Sequence, residues 1–156
     1  MTSGAQTSPA TGRRDTAIEL ADSGPRGWGR VRRVAGWLHL VAASAVVLAV
    51  FVQVYLIGAY IFGAGEGALD AHKAVGWTAN ELEGVVLISA LVAWLPRRDI
   101  LLSLGLAVIG TVQVSFAEAH MWVGGLHPLF ALVVFVTAGV IVRRRLAAYG
   151  VRPRRR

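Results

Sequence analysis

The sequence predicts an all-α integral membrane protein: an up-down-up-down four-helix bundle with a disordered cytoplasmic N-terminal tail. Three observations predict it. Of 156 residues, 55% are hydrophobic and only 16% charged, with a mean hydropathy of +0.57, and the apolar residues are bunched into four long blocks. Fifteen of the sixteen basic residues lie on one side of those blocks. The connections between blocks are short, which makes neighbouring spans antiparallel. Cysteine is absent, which excludes disulfides, thiolate metal sites and covalent c-type haem.

Residues 1–33 are rich in Ser, Thr, Gly, Ala and Pro, with no aromatic residue before Trp28. Such a stretch cannot bury enough surface to order itself, so a disordered basic tail is expected. The apolar block after it is far longer than a signal-peptide core of about 7–15 residues, so no cleaved leader is expected. The bundle is expected over residues 34–146, with spans near Val34–Phe62, Ala71–Leu95, Ile100–Trp122 and His127–Val142. Each approaches the roughly 20 apolar residues that cross a hydrocarbon core. The fourth reaches that length only by taking in part of the arginine run, whose side chains can snorkel to the headgroups. No segment alternates like a barrel strand. Residues 147–156 are expected to form a second basic cytoplasmic tail.

The basic residues set the orientation. Six arginines precede the first span, Arg97 and Arg98 separate the second and third, and seven follow the fourth. Lys73 alone lies on the other side. The positive-inside rule then places both termini in the cytoplasm and the protein in the cell (inner) membrane. The net charge of +7 is therefore read as a topology anchor on an anionic leaflet. Without interleaved aromatics it does not read as a nucleic-acid patch. The expected partner is the lipid bilayer, with room left for a membrane-protein partner or a second copy of the chain.

Helices in lipid pack through small residues and interhelical hydrogen bonds. The first span offers Ala42, Ala45, Ala49 and Gln53 on one face, and the third offers Ser103, Ala107 and Thr111, with Gln113 nearby. Trp37, Trp77, Trp94 and Trp122 fall near span ends, as an aromatic belt does.

The residues able to do chemistry gather toward the side away from the arginines: His72, Glu81 and Glu83 on span two, Glu118 and His120 after span three, and His127 opening span four. Ionisable residues in a span are costly and point to function. His72, Gly76, Ala79 and Glu83 share one helical stripe, as do His127, Ala131 and Ala138. Both histidines open helices at the same side, where the helix N-terminus disfavours imidazolium and keeps the ring able to ligate a metal. Gly76 and Ala131, one turn inward, leave room for a flat macrocycle. This pattern fits one b-type haem held by His72 and His127.

Depth counting favours a different pairing. His72 lies 25 residues before Arg97, while His127 lies only 16 before Arg143, an offset of roughly 13 Å of helix. Glu83, 14 residues before Arg97, matches His127 better, so a buried Glu83–His127 pair in a non-catalytic scaffold or accessory subunit is the alternative. A plain reading also stands: His127-Pro128 is an ordinary helix start, and His72 can lie among headgroups. Glu118 with His120 offers a weak surface metal site. His39 has no second histidine on its side and reads as a packing residue. A proton-coupled transporter is a third option, with no broken helix or inverted repeat to support it.

At Asp70-Ala-His72-Lys-Ala-Val-Gly76-Trp77 and Leu126-His127-Pro128-Leu129, the chain resembles a family of small four-span bacterial membrane proteins without an assigned function. The resemblance spans about Gly36 to Arg145. More distantly, the arrangement is similar to one half of haem A synthase, whose half-bundles hold b-type haem by histidines on their second and fourth helices. That resemblance implies ligand roles for His72 and His127 alone. The enzyme's Glu-x-x-x-His pattern is missing, because position 68 is Ala68 and Glu66 lies six residues before His72. Haem-modifying activity is therefore not implied, and whether the chain is an enzyme stays open.

Overall fold

In the computed structural model, which describes residues 26–117 and 121–150, the chain is all-α. Helix α1 spans Arg26–Ile61, α2 Glu66–Val92, α3 Arg97–Ala117, the single turn α4 Met121–Gly124, and α5 His127–Ala148. Among the described residues, four helices are long and apolar enough to cross a membrane: α1, α2, α3 and the run Trp122–Ala148 that contains α5. The long helices close a ring, α1 on α2, α2 on α3, α3 on α5 and α5 back on α1. This is the up-down-up-down bundle that short connections dictate.

One end of the bundle carries the arginines. There α1 begins, α2 ends, α3 begins and α5 ends. Arg32 Nε of α1 donates to Ala93 O beyond α2 at 3.3 Å, and Arg144 of α5 pairs with Asp99 of α3 at 2.5 Å. Trp37 stacks on Tyr149 with ring centres 4.6 Å apart. The opposite end carries His72 and His127.

The turns follow from local chemistry. Gly63, at φ 94°, ends α1 in the left-handed conformation that glycine adopts without a Cβ penalty. Its N–H reaches Tyr60 O, and the Ala64 N–H reaches Ala59 O, both at 3.0 Å. Trp94 takes the same place after α2 with φ 52°, while the Leu95 N–H reaches Ala90 O at 3.1 Å. A bulky residue there costs on the order of 1 kcal/mol or more. Its exposed indole sits at the arginine end, where an interfacial ring is favoured. Pro128 occupies the first turn of α5, where its missing N–H needs no partner.

The core is a small apolar cluster: Ala42, Ala43 and Val46 of α1, Val86 of α2, Leu106 of α3, and Val134, Ala138 and Ile141 of α5. It corrects the expected seams. The buried face of α3 is Asp99, Ser103, Leu106, Gly110 and Gln113, so Ser103 and Gln113 lie inward as expected while Ala107 is half-buried and Thr111 exposed. The exposed Thr111 hydroxyl donates to Ala107 O of its own helix at 2.9 Å, with Asn80 Oδ1 of α2 at 3.5 Å, and Ser115 donates to Thr111 O at 3.0 Å. On α1, Ala45 and Ala49 are half-buried beside the Ala42–Ala43–Val46 seam.

Helix boundaries also shift. Residues 26–33, expected in the disordered tail, are the first two turns of α1. At 36 residues α1 is about 54 Å long and outruns the hydrocarbon core. The fourth span continues to Ala148 and takes in the whole of Arg143–Arg145, where only part of that run is expected. Trp122 belongs to α4, and the described part of α3 ends at Ala117. The expected tail at 1–25 and the terminal arginines at 152–156 lie outside the described residues.

Candidate functional site

Two histidines meet at the end opposite the arginines. His72 lies in the second turn of α2 and His127 is the first residue of α5. Their ring centres are 6.2 Å apart and their planes cross at 74°. The depth offset expected from the arginines does not arise. His72 stands 20 residues before Val92, the end of α2, and His127 stands 21 before Ala148, the end of α5. Arg97 lies five residues past its helix end and Arg143 five residues inside its own, so counting to the arginines misjudged both.

Each ring is fixed by a backbone carbonyl on a neighbouring helix. His72 Nδ1 donates to Gln53 O of α1 at 3.1 Å, and Gln53 Nε2 donates back to His72 O at 2.8 Å. His127 Nδ1 donates to Gln113 O of α3 at 2.8 Å. A carbonyl oxygen only accepts, so both rings carry their hydrogen on Nδ1. Nε2 of each keeps its lone pair, and neither makes a hydrogen bond among the described residues. A ligating histidine is ordinarily prepared this way, with the distal nitrogen held by a carbonyl or carboxylate.

A cavity of about 430 Å³ opens between the helices, lined by both histidines with Lys73, Trp77, Gln113 and Gly76 among its walls. Its size falls within the roughly 300–1,000 Å³ of small-molecule sites. Gly76 has a specific task. A Cβ there would stand 2.7 Å from Gln53 Nε2, so the missing side chain admits the amide that reaches His72 O. That space was expected to admit a macrocycle. Ala131, expected to do likewise, does not line the cavity.

The spacing admits a metal. Two metal–nitrogen bonds of about 2 Å plus two ring radii of about 1.1 Å give about 6 Å between the centres of imidazoles sharing one ion. Among the described residues no group of three or more His, Cys, Asp or Glu could hold a metal ion. Two imidazoles alone suit a metal that brings its other ligands with it.

The alternative pairing is not formed. Both carboxyl oxygens of Glu83 are buried without a hydrogen-bond partner, and His127 Nδ1 is taken by Gln113 O. Glu83 turns instead to α3, where its carboxyl fills the space a Cβ at Gly110 would need. Glu81 is exposed on the outside of α2. Glu118 and His120 lie outside the described residues.

His39, at the arginine end, is fully buried. Ser103 Oγ donates to Asp99 O at 2.8 Å, so it accepts from His39 Nε2 at 3.0 Å. His39 packs in the core as its lone position predicts, but its bond to Ser103 has no sequence signal. The carbonyls of Gln53 and Gln113 have none either, since no side-chain pattern reveals them. Comparison with protein-family models, curated proteins and solved structures finds no match to this chain.

Proposed function

We propose that this small integral membrane protein binds one b-type haem at the histidine end, with Nε2 of His72 and His127 as its protein ligands, and serves electron transfer or haem handling. The observation that carries the reading is the pair of carbonyl-anchored rings 6.2 Å apart, each with a free Nε2, in one cavity. When bound, a b-type haem supplies one-electron redox chemistry. The carbonyls of Gln53 and Gln113 hold the tautomer and the ring planes. Lys73 places a cation at the rim for an acidic substituent, and Trp77 offers an apolar wall. The arginine distribution supports cytoplasmic termini in the cell membrane, which puts the cavity toward the outer face.

The test is an absorbance spectrum of protein purified in mild detergent from haem-replete cells. A Soret band with b-type α and β bands on reduction is expected, and His72→Ala and His127→Ala each abolish it. A colourless wild-type protein overturns the reading, as does a band that survives both substitutions.

A further inference from the structure

Beneath the cavity, three buried side-chain oxygens lack a hydrogen-bond partner among the described residues. Glu83 is 1% exposed and neither carboxyl oxygen has a partner; Gln113 is 7% exposed and its Oε1 has none either. Side-chain direction aims both residues at the same turn of α3. Helical side chains lean toward the N-terminus of their own helix. Helix α2 starts at the histidine end, so Glu83 reaches up toward it, and its carboxyl lies in the notch at Gly110. Helix α3 starts at the arginine end, so Gln113 leans down over the preceding turn, which contains Gly110. Gln113 also lines the cavity.

Neither oxygen of the buried Glu83 carboxyl has a donor, and an unpaired carboxylate in an apolar core costs several kcal/mol at least. One hydrogen on Glu83 resolves the arrangement, since a carboxylic acid donates through O–H and still accepts. We propose that Glu83 is a proton-binding site in the bundle core, that its O–H is directed at Gln113 Oε1, and that its proton exchanges with water in the histidine cavity past the Gln113 side chain. The step is simple: a carboxylate takes a proton delivered by cavity water, and the acid returns it by the same route. Toward the arginine end, the apolar layer of Val46, Val86 and Leu106 separates the site from His39 and Asp99. The other titratable groups have their own engagements: His72 and His127 with carbonyls, His39 with Ser103, and Asp99 with Arg144. None hydrogen-bonds Glu83. Proton binding at Glu83 does not depend on haem, whereas the exchange route requires water in the cavity.

Infrared spectroscopy of the full chain in nanodiscs at neutral pH tests it. A carboxylic-acid carbonyl band is expected that Glu83→Gln removes and that shifts in deuterated water. In Gln113→Leu the band persists at a higher frequency, having lost its acceptor, and its deuterium exchange slows about tenfold. Labelling glutamate carboxyls with ¹³C in the unaltered protein must move the same band, which keeps the test valid if Glu83→Gln does not fold. Absence of a glutamate-derived acid band overturns the proposal, as does exchange in Gln113→Leu at the wild-type rate.

Discussion

Replacing Gly110 by alanine puts a methyl group where the Glu83 carboxyl lies. An ideal Cβ would stand 2.6 Å from Oε1 and closer still to Oε2 and Cδ, so the carboxyl must leave. It is the end of a flexible side chain, which would make the move cheap at a surface. Here the side chain is 1% exposed, and to leave it must push aside the Gln113 side chain, enter the Val86–Leu106 layer or separate α2 from α3. Overpacking of this kind costs about 1–3 kcal/mol. Alanine recovers up to about 1 kcal/mol of helix propensity over glycine. Gly110→Ala is therefore expected to destabilise the bundle by about 1–2 kcal/mol, the collision outweighing the propensity. In a Glu83→Ala background the collision is gone, and the same substitution should stabilise by up to about 1 kcal/mol. A double-mutant cycle by reversible denaturation in detergent, followed by circular dichroism, reads a coupling of about 2–3 kcal/mol. Additivity within about 0.5 kcal/mol would refute the packing argument.

Three further predictions follow from the same contacts. Gly76→Ala expels the Gln53 amide and breaks its bond to His72 O, so under the proposed haem-binding function it should lower haem retention in purified protein; full retention would show that the Gln53 amide is not needed to position His72. Ser103→Ala leaves His39 Nε2–H buried without an acceptor and should cost about 1–3 kcal/mol in the same denaturation assay. Asp99→Asn removes the pair with Arg144, but the Arg144 side chain is 37% exposed, so the loss should stay below about 1 kcal/mol and shrink with added salt. A larger, salt-independent loss would mean that Asp99 acts through the core instead.

The four spans were legible because crossing lipid demands length and apolarity, and both are written in the residue order. The helix faces were less so. A rule that seeks small residues selected Ala107 and Thr111, yet a hydroxyl satisfied by its own helix can face outward, and Leu106 took the buried place. Depth is not legible from the arginines, because α5 carries Arg143–Arg145 in its last turns, with Arg145 buried against Tyr149 and Gly36, whereas Arg97 lies beyond the end of α2. Counting to those arginines is what favours a Glu83–His127 pairing. The meeting of His72 with His127 was legible from two helix starts on one side. Their anchors were not, because main-chain oxygens carry no sequence signature.

Gly36, Gly76 and Gly110 each lie against a polar group from another helix: Arg145 and Tyr149, the Gln53 amide, and the Glu83 carboxyl. They sit at the arginine end, the histidine end and between. Lipid exerts no force that distinguishes one vertical alignment of two greasy rods from another a turn away. Three lock-and-pin joints at three heights do. Sliding any rod by one turn would drive a polar side chain into a neighbouring backbone and leave an empty socket, so these glycines act as a vernier that sets where along the membrane normal the two imidazoles come level.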